Sequence, residues 1–159
     1  MNRGNAMAHR GRRMGWRDVA ALDTGEASVL VVDDDPALRR VMVSALKGML
    51  HDVRAAASAE EADVWLSARD FDLVLLDLDL PRMNGLELLR WALRRQPDLA
   101  VVMLTGHSEP GLALDCLSAG ARAFLVKPID LGFLQRAIRD ALAVRALLRE
   151  RNALVKGDA

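Results

Sequence analysis

Two short stretches, "DLVLLD" at residues 72 to 77 and "LAVVMLT" at residues 99 to 105, are dominated by apolar residues in unbroken runs rather than at every second position. A strand with one face in water alternates apolar and polar residues, whereas a continuous apolar run needs cover on both faces. That requirement points to a parallel sheet enclosed by helices. Val29 to Val32 is a third such run and "RAFLVK" (122 to 127) a fourth, with a weaker short strand over 52 to 57.

Between the runs the spacing changes to a helical period. Residues 36 to 50 carry Leu38, Met42, Ala45, Leu46 and Met49 as one stripe. Ser58 and Glu61 form a capping-box pattern, opening a helix to about Ala68 with Trp65 and Leu66 inward. Asn84 caps a helix over 86 to 95 that ends before Pro97. Another helix runs from about Pro110 to Ala119, where Gly120 stops it. Asp130 caps the last, with Ile129 and Leu134 placed as a hydrophobic staple. Five strands thus alternate with five helices, and right-handed crossovers make this a doubly wound α/β domain. In such sheets ligands bind at the carboxyl ends of the strands.

Length and charge narrow the reading further. The 159 residues suffice for one domain with some extra length. The 22 basic and 22 acidic residues cancel, so no global charge favours nucleic acid or an anionic membrane. No apolar run approaches the roughly 18 residues of a membrane span. Cys116 is the only cysteine, which excludes an internal disulfide and a cysteine metal cage and fits a cytoplasmic setting. Residues 1 to 27 are expected to be a disordered basic leader, with five arginines and no acid among the first 17 residues. A grip on nucleic acid or another acidic partner is the sharper alternative for that leader.

The residues following each strand collect at one edge. They are Asp33, Asp34 and Asp35 after the first, Asp77 at the end of the third, Thr105 at the fourth and Lys127 at the fifth. Asp35 precedes Pro36, an ordinary helix start with Asp as cap and Pro at the first helical position. Capping leaves Asp33 and Asp34 unexplained. Beside Asp77 they form a cluster whose repulsion calls for a cation, and a hard divalent ion with oxygen ligands suits it. Magnesium takes a few carboxylates and completes its octahedron with water and phosphate oxygens; manganese is the substitute. Lys127 adds a mobile positive charge and Thr105 a short hydroxyl donor. Together they describe a site where Asp77 attacks phosphorus while cation, lysine and hydroxyl steady the phosphoryl oxygens.

"VLVVDDDP", "DLVLLDLDLPRMNGLELL", "VVMLTG" and "AFLVKP" closely resemble the receiver domain of two-component response regulators, over roughly residues 28 to 145 and in the same order. The resemblance implies a flavodoxin-like sheet of order 2-1-3-4-5. It makes Asp77 the phosphoacceptor and Asp33, Asp34 and Asp77 the Mg²⁺ ligands, with the backbone carbonyl of Asp79 as a further one. Thr105 and Lys127 then contact the phosphoryl group, Lys127–Pro128 is a cis peptide, and Thr105 with Phe124 forms the switch that reports phosphorylation. Phe124 stands where Tyr is common and has no hydroxyl to bond with. Asp79 and His107 occupy two variable positions that influence phosphoryl hydrolysis. The implied partner is a histidine kinase or a histidine phosphotransfer protein, and the chain is a signalling phosphoacceptor that catalyses only its own phosphorylation and dephosphorylation.

Two other functions compete. "LLDLDL" also fits the first motif of haloacid-dehalogenase-type phosphatases, with Asp77 as nucleophile and Asp79 as general acid. That family puts the motif on its first strand and prefers Thr or Val where Pro81 stands, and the upstream Asp pair would be idle. Direct DNA binding would need a recognition helix, and nothing after residue 145 is long enough for a helix-turn-helix, so no nucleic-acid contact is expected within this chain. Residues 146 to 159 read as an extension of the last helix, a linker or a short coiled coil. Leu134, Ala141, Leu148 and Val155 recur every seven residues in an imperfect seam, interrupted by Arg151. A homodimer through that helix, or through the fourth and fifth helices, is one expectation and a frayed amphipathic end the other. The chain reads either as a single-domain relay or as part of a larger protein. Cys116 and Trp65 are assigned to core packing, Trp91 to a helix face near the surface and His107 to a loop.

Overall fold

The computed structural model describes residues 26 to 157 apart from His51. The expected leader therefore lies, but for its last two residues, outside the described part. Five strands, β1 (Ser28–Val32), β2 (Asp52–Ala56), β3 (Leu73–Asp77), β4 (Ala100–Thr105) and β5 (Ala123–Val126), alternate with five helices. These are α1 (Pro36–Lys47), α2 (Ala59–Ala68), α3 (Gly85–Arg95), α4 (Pro110–Ser118) and α5 (Leu131–Val155). All strand pairs are parallel, in the order β2-β1-β3-β4-β5. The doubly wound fold and its strand order are those expected.

The central strands divide their side chains between two cores by simple alternation. Leu30, Val32, Val74, Leu76, Val101 and Met103 face one layer, where Ala62 and Leu66 of α2, Leu88, Leu89 and Ala92 of α3 and Cys116 of α4 meet them. Val29, Val31, Leu73, Leu75, Val102 and Leu104 face the other, against Met42 and Leu46 of α1 and Leu134, Ile138, Ala141 and Leu142 of α5. Every residue of β3 and β4 is buried. The edge strands differ because each has one open side: β2 and β5 are only partly buried.

The helix starts follow their caps. Asp35 accepts from the N–H groups of Ala37 and Leu38, Asn84 from Leu86 and Asp130 from Phe133. The capping box is shifted: Ser58 Oγ accepts from Glu61 N–H, but Glu61 Oε2 reaches back to Ala57 N–H, one residue before the cap. Cys116 is fully buried, while Trp65 and Trp91 are half-buried against the α2–α3 side of the core.

The last helix continues well past the sheet. Leu134, Ile138, Ala141, Leu142 and Arg145 are buried, so two positions of the seven-residue seam, Leu134 and Ala141, face this domain's own sheet. Val155, at the far end of that seam, is exposed. No helix among the described residues is long and apolar enough to cross a membrane.

Candidate functional site at the carboxyl edge

The parallel register brings distant segments together. β1 lies between β2 and β3, with Val32 opposite Leu76, so the residues just beyond them, Asp33 and Asp77, are neighbours. β5 pairs with β4 through Thr105 opposite Val126, which sets Lys127 beside the same edge. Lys127 Nζ donates to Asp33 Oδ2 at 3.0 Å and to Asp77 Oδ2 at 3.2 Å. Asp33, Asp34 and Asp77 each offer an oxygen, all within 4.8 Å of one another. Asp33, Asp77 and Thr105 are buried, whereas Asp34 and Asp79 are exposed at the rim. The Lys127–Pro128 bond is cis.

Backbone donors hold the carboxylates in place. Asp35 N–H donates to Asp33 Oδ1 at 2.8 Å and Asp79 N–H to Asp77 Oδ1 at 3.0 Å. Behind the cluster, Arg39 Nη1 donates to the Asp33 carbonyl at 2.7 Å, tying the first turn of α1 to the loop. Gly85 is required by close approach: a Cβ there would lie 2.4 Å from the Asp77 carbonyl oxygen and 2.7 Å from Leu78 Cα. Its N–H donates to the Leu78 carbonyl at 3.0 Å, so α3 begins directly against the loop that follows Asp77. Arg39 and Gly85 were not singled out by sequence reasoning. Gly85 carried a weak signal, the "NG" after Pro81; Arg39 carried none.

Burial pushes the Asp77 carboxyl above its ordinary value, and the negative charge of Asp33 adds to this against the opposing Asp79 N–H and Lys127. Burial alone would push the Lys127 ammonium down. Its hydrogen bond to Asp33, with the charges of Asp77 and Asp33, outweighs burial and leaves it raised. Lys127 therefore stays charged.

Charge counting tests the fit of a metal. Three carboxylates and one ammonium leave a deficit of two positive charges, which a divalent cation supplies. The donors are oxygens only, the preference of Mg²⁺ or Mn²⁺ rather than of a soft metal. The rim position of Asp34 leaves the cluster reachable from water.

Thr105 Oγ1 donates to Asp79 Oδ2 at 3.3 Å and accepts from His107 N–H at 3.0 Å. Phe124 is half-buried, packed against the core layer of α2 to α4. The expected site residues other than Phe124 thus lie at one edge, while Phe124 pairs with Met103, two strand positions before Val126.

Comparison with known proteins agrees with this geometry. The family model described as the response regulator receiver domain matches residues 29–139. The response regulator protein PilR of Pseudomonas aeruginosa is 39% identical over 116 residues, covering 73% of this chain and 26% of PilR. The C4-dicarboxylate transport transcriptional regulatory protein DctD of Rhizobium meliloti is 36% identical over 127 residues, covering 80% of this chain and 28% of DctD. The chain thus spans little more than a quarter of these relatives' length. Among solved structures, a CheY-like response regulator receiver domain protein from Methanospirillum hungatei superposes with a TM-score of 0.73 at 31% identity, over 76% of this chain and 97% of that one. These matches support the receiver reading and not the phosphatase one, and the upstream Asp pair, idle in a phosphatase, lies against Asp77. Fold, edge chemistry and relatives agree: the chain belongs to the response regulator receiver domain family.

Proposed function

We propose that Asp77 accepts a phosphoryl group from the phosphohistidine of a histidine kinase or a histidine phosphotransfer protein. A carboxylate oxygen of Asp77 forms the new bond to phosphorus as the P–N bond breaks, and the departing imidazole takes up a proton. The observation that carries this reading is the convergence of a buried carboxylate, an ammonium 3.2 Å from it and two further acids within 4.8 Å.

Asp33, Asp34 and Asp77, with the backbone carbonyl of Asp79, are the ligands proposed for Mg²⁺ or Mn²⁺. Bound there, the cation neutralises the phosphoryl oxygens and offsets the repulsion between anionic donor and anionic site. Lys127, already held between Asp33 and Asp77, is placed to follow a phosphoryl oxygen on Asp77. Thr105 supplies a hydroxyl donor from the end of β4, and its movement with Phe124 carries the change to the face of α4, β5 and α5. Partner binding at that face, including a homodimer there or along the extended α5, is the proposed output. The relatives' longer chains favour a role as the regulatory portion of a larger regulator.

Acetyl phosphate with Mg²⁺ tests the reading directly. Wild-type protein is expected to become labelled, and Asp77→Asn and EDTA-treated wild type to remain unlabelled. Label persisting on the Asn variant would remove Asp77 from the role.

A further inference from the structure

We propose that Asp79 is a positioning residue that holds the Thr105 hydroxyl away from the phosphoryl site and so sets how readily phosphorylation recruits it. This rests on the receiver reading of Asp77.

Thr105 Oγ1 has a single hydrogen, and it is directed to Asp79 Oδ2 at 3.3 Å. The oxygen is also used as an acceptor, by His107 N–H at 3.0 Å. Thr105 is fully buried, so water has little part in the competition. A phosphoryl group's oxygens only accept, so what Thr105 can give it is that same hydrogen. Asp79 and the phosphoryl group therefore compete one for one.

At 3.3 Å the bond is longer than the usual hydroxyl–oxygen range, so Asp79 holds the hydrogen by a modest contact that a phosphoryl oxygen can displace. Asp79 is braced: its Oδ1 lies 3.3 Å from His107 Nε2, and the backbone N–H of the same His107 donates to the Thr105 hydroxyl. Asp79 is attached to the nucleophile as well, since its N–H donates to Asp77 Oδ1 at 3.0 Å. One residue thus grips the phosphoacceptor through its main chain and the switch hydroxyl through its side chain. With 45% of its side chain exposed, Asp79 can be replaced without opening the core.

Two variants separate the hydrogen bond from the charge. Asp79→Ala removes both, while Asp79→Asn keeps an acceptor oxygen and removes the charge. The first measurement is the Thr105 χ1 rotamer in metal-free, unphosphorylated protein, from three-bond couplings to its methyl group. One rotamer is expected in wild type, rotamer averaging in the Ala variant and little averaging in the Asn variant. The second is the rate of labelling by acetyl phosphate at fixed Mg²⁺, expected to rise about fivefold in Asp79→Ala, the scale of one hydrogen bond, and less in Asp79→Asn. An unchanged single rotamer in the Ala variant overturns the proposal, whatever the rates do. Equal rate gains in both variants would overturn it too, because charge alone would then account for them. Wild-type protein that takes no label would defeat the underlying reading, a result the rotamer measurement does not share.

Discussion

The two ends of the sheet both gather charged side chains, and they gather them differently. At the carboxyl edge Asp33, Asp34 and Asp77 face one ammonium, Lys127, and the balance stays negative. At the amino edge the charges match. Arg145 Nη1 donates to Asp72 Oδ1 at 2.7 Å, its Nε to the Asp98 carbonyl at 3.0 Å, and Arg149 Nε lies 3.1 Å from Asp98 Oδ2. The other oxygen of Asp72 accepts from both Ser28 N–H and Ser28 Oγ. Two arginines thus meet two aspartates, with Ser28 at the start of β1 holding Asp72 as well. A matched network fastens a helix to a sheet. An unmatched one leaves room for a cation and a reaction, and a protein keeps such an imbalance where it is used.

The largest effect is expected from breaking the matched end. Arg145→Met keeps the aliphatic volume but strands Asp72 and Asp98 without their buried partner. Removing one member of a buried pair costs about 3 kcal/mol, and both acids here are partly open to water, so the loss should not exceed that. A urea titration should show a lower midpoint with an unchanged slope. Mg²⁺ affinity and acetyl phosphate labelling should stay at wild-type values. A change in either would mean that the two ends are coupled, and the contrast drawn between them would fail.

A smaller effect is expected at the unmatched end, with a definite pH sign. The Asp77 carboxyl is raised by burial, so in metal-free protein its contribution to stability is present below the ordinary Asp value and lost as pH rises through the folded one. Mg²⁺ held as proposed would bind the ionised form, so its stabilisation should grow over that same rise. At ten times its Kd the ion should add about 1.4 kcal/mol, and the Mg²⁺-induced increase in Tm should be larger at pH 7 than at pH 5. Asp77→Asn should reduce that pH dependence. An equal increase at both pH values would mean that Asp77 is not where the ion and the proton compete.

The carboxyl edge was legible because it is made of strand ends. Once "DLVLLD" and "LAVVMLT" are buried parallel strands, the residues after them share an edge whatever their side chains do, and Asp33, Asp77, Thr105 and Lys127 follow from counting. The amino-edge lock was not legible in this way. Arg145 lies 73 residues from Asp72 and 47 from Asp98, and its partners depend on where a long helix crosses the sheet. A signal did exist: Leu134, Ile138, Ala141, Leu142 and Arg145 lie on one helical face, so an arginine ends an apolar stripe. The seven-residue reading of the tail passed over it by joining Leu134 and Ala141 to Leu148 and Val155, although the first pair packs on the sheet and Val155 is exposed. The bond from Thr105 to Asp79 was hidden for another reason. It is set by a side-chain rotamer in a loop, which strand register does not determine.

The smallest effect returns to the amino edge, at the start of β2. The hydrogen bond from Arg69 holds the Asp52 carboxyl below its ordinary value, with partial burial opposing and Arg54 assisting. The sign is therefore opposite to that of Asp77: this group's contribution is present above the ordinary Asp value and lost as pH falls through the folded one. Asp52→Asn should cost about 0.5 kcal/mol near pH 7, the size of a partly exposed ion pair, and less in high salt. Melting curves of variant and wild type should converge as pH falls through the acid range, while those of Asp77→Asn and wild type in metal-free protein should separate as pH rises from it. The same residue type would then give opposite pH slopes at the two ends, because one aspartate is buried among acids and the other is held by arginines. Parallel slopes would show that the surplus charge at the carboxyl edge is already compensated within the protein, and the case for a cation there would lose its physical basis.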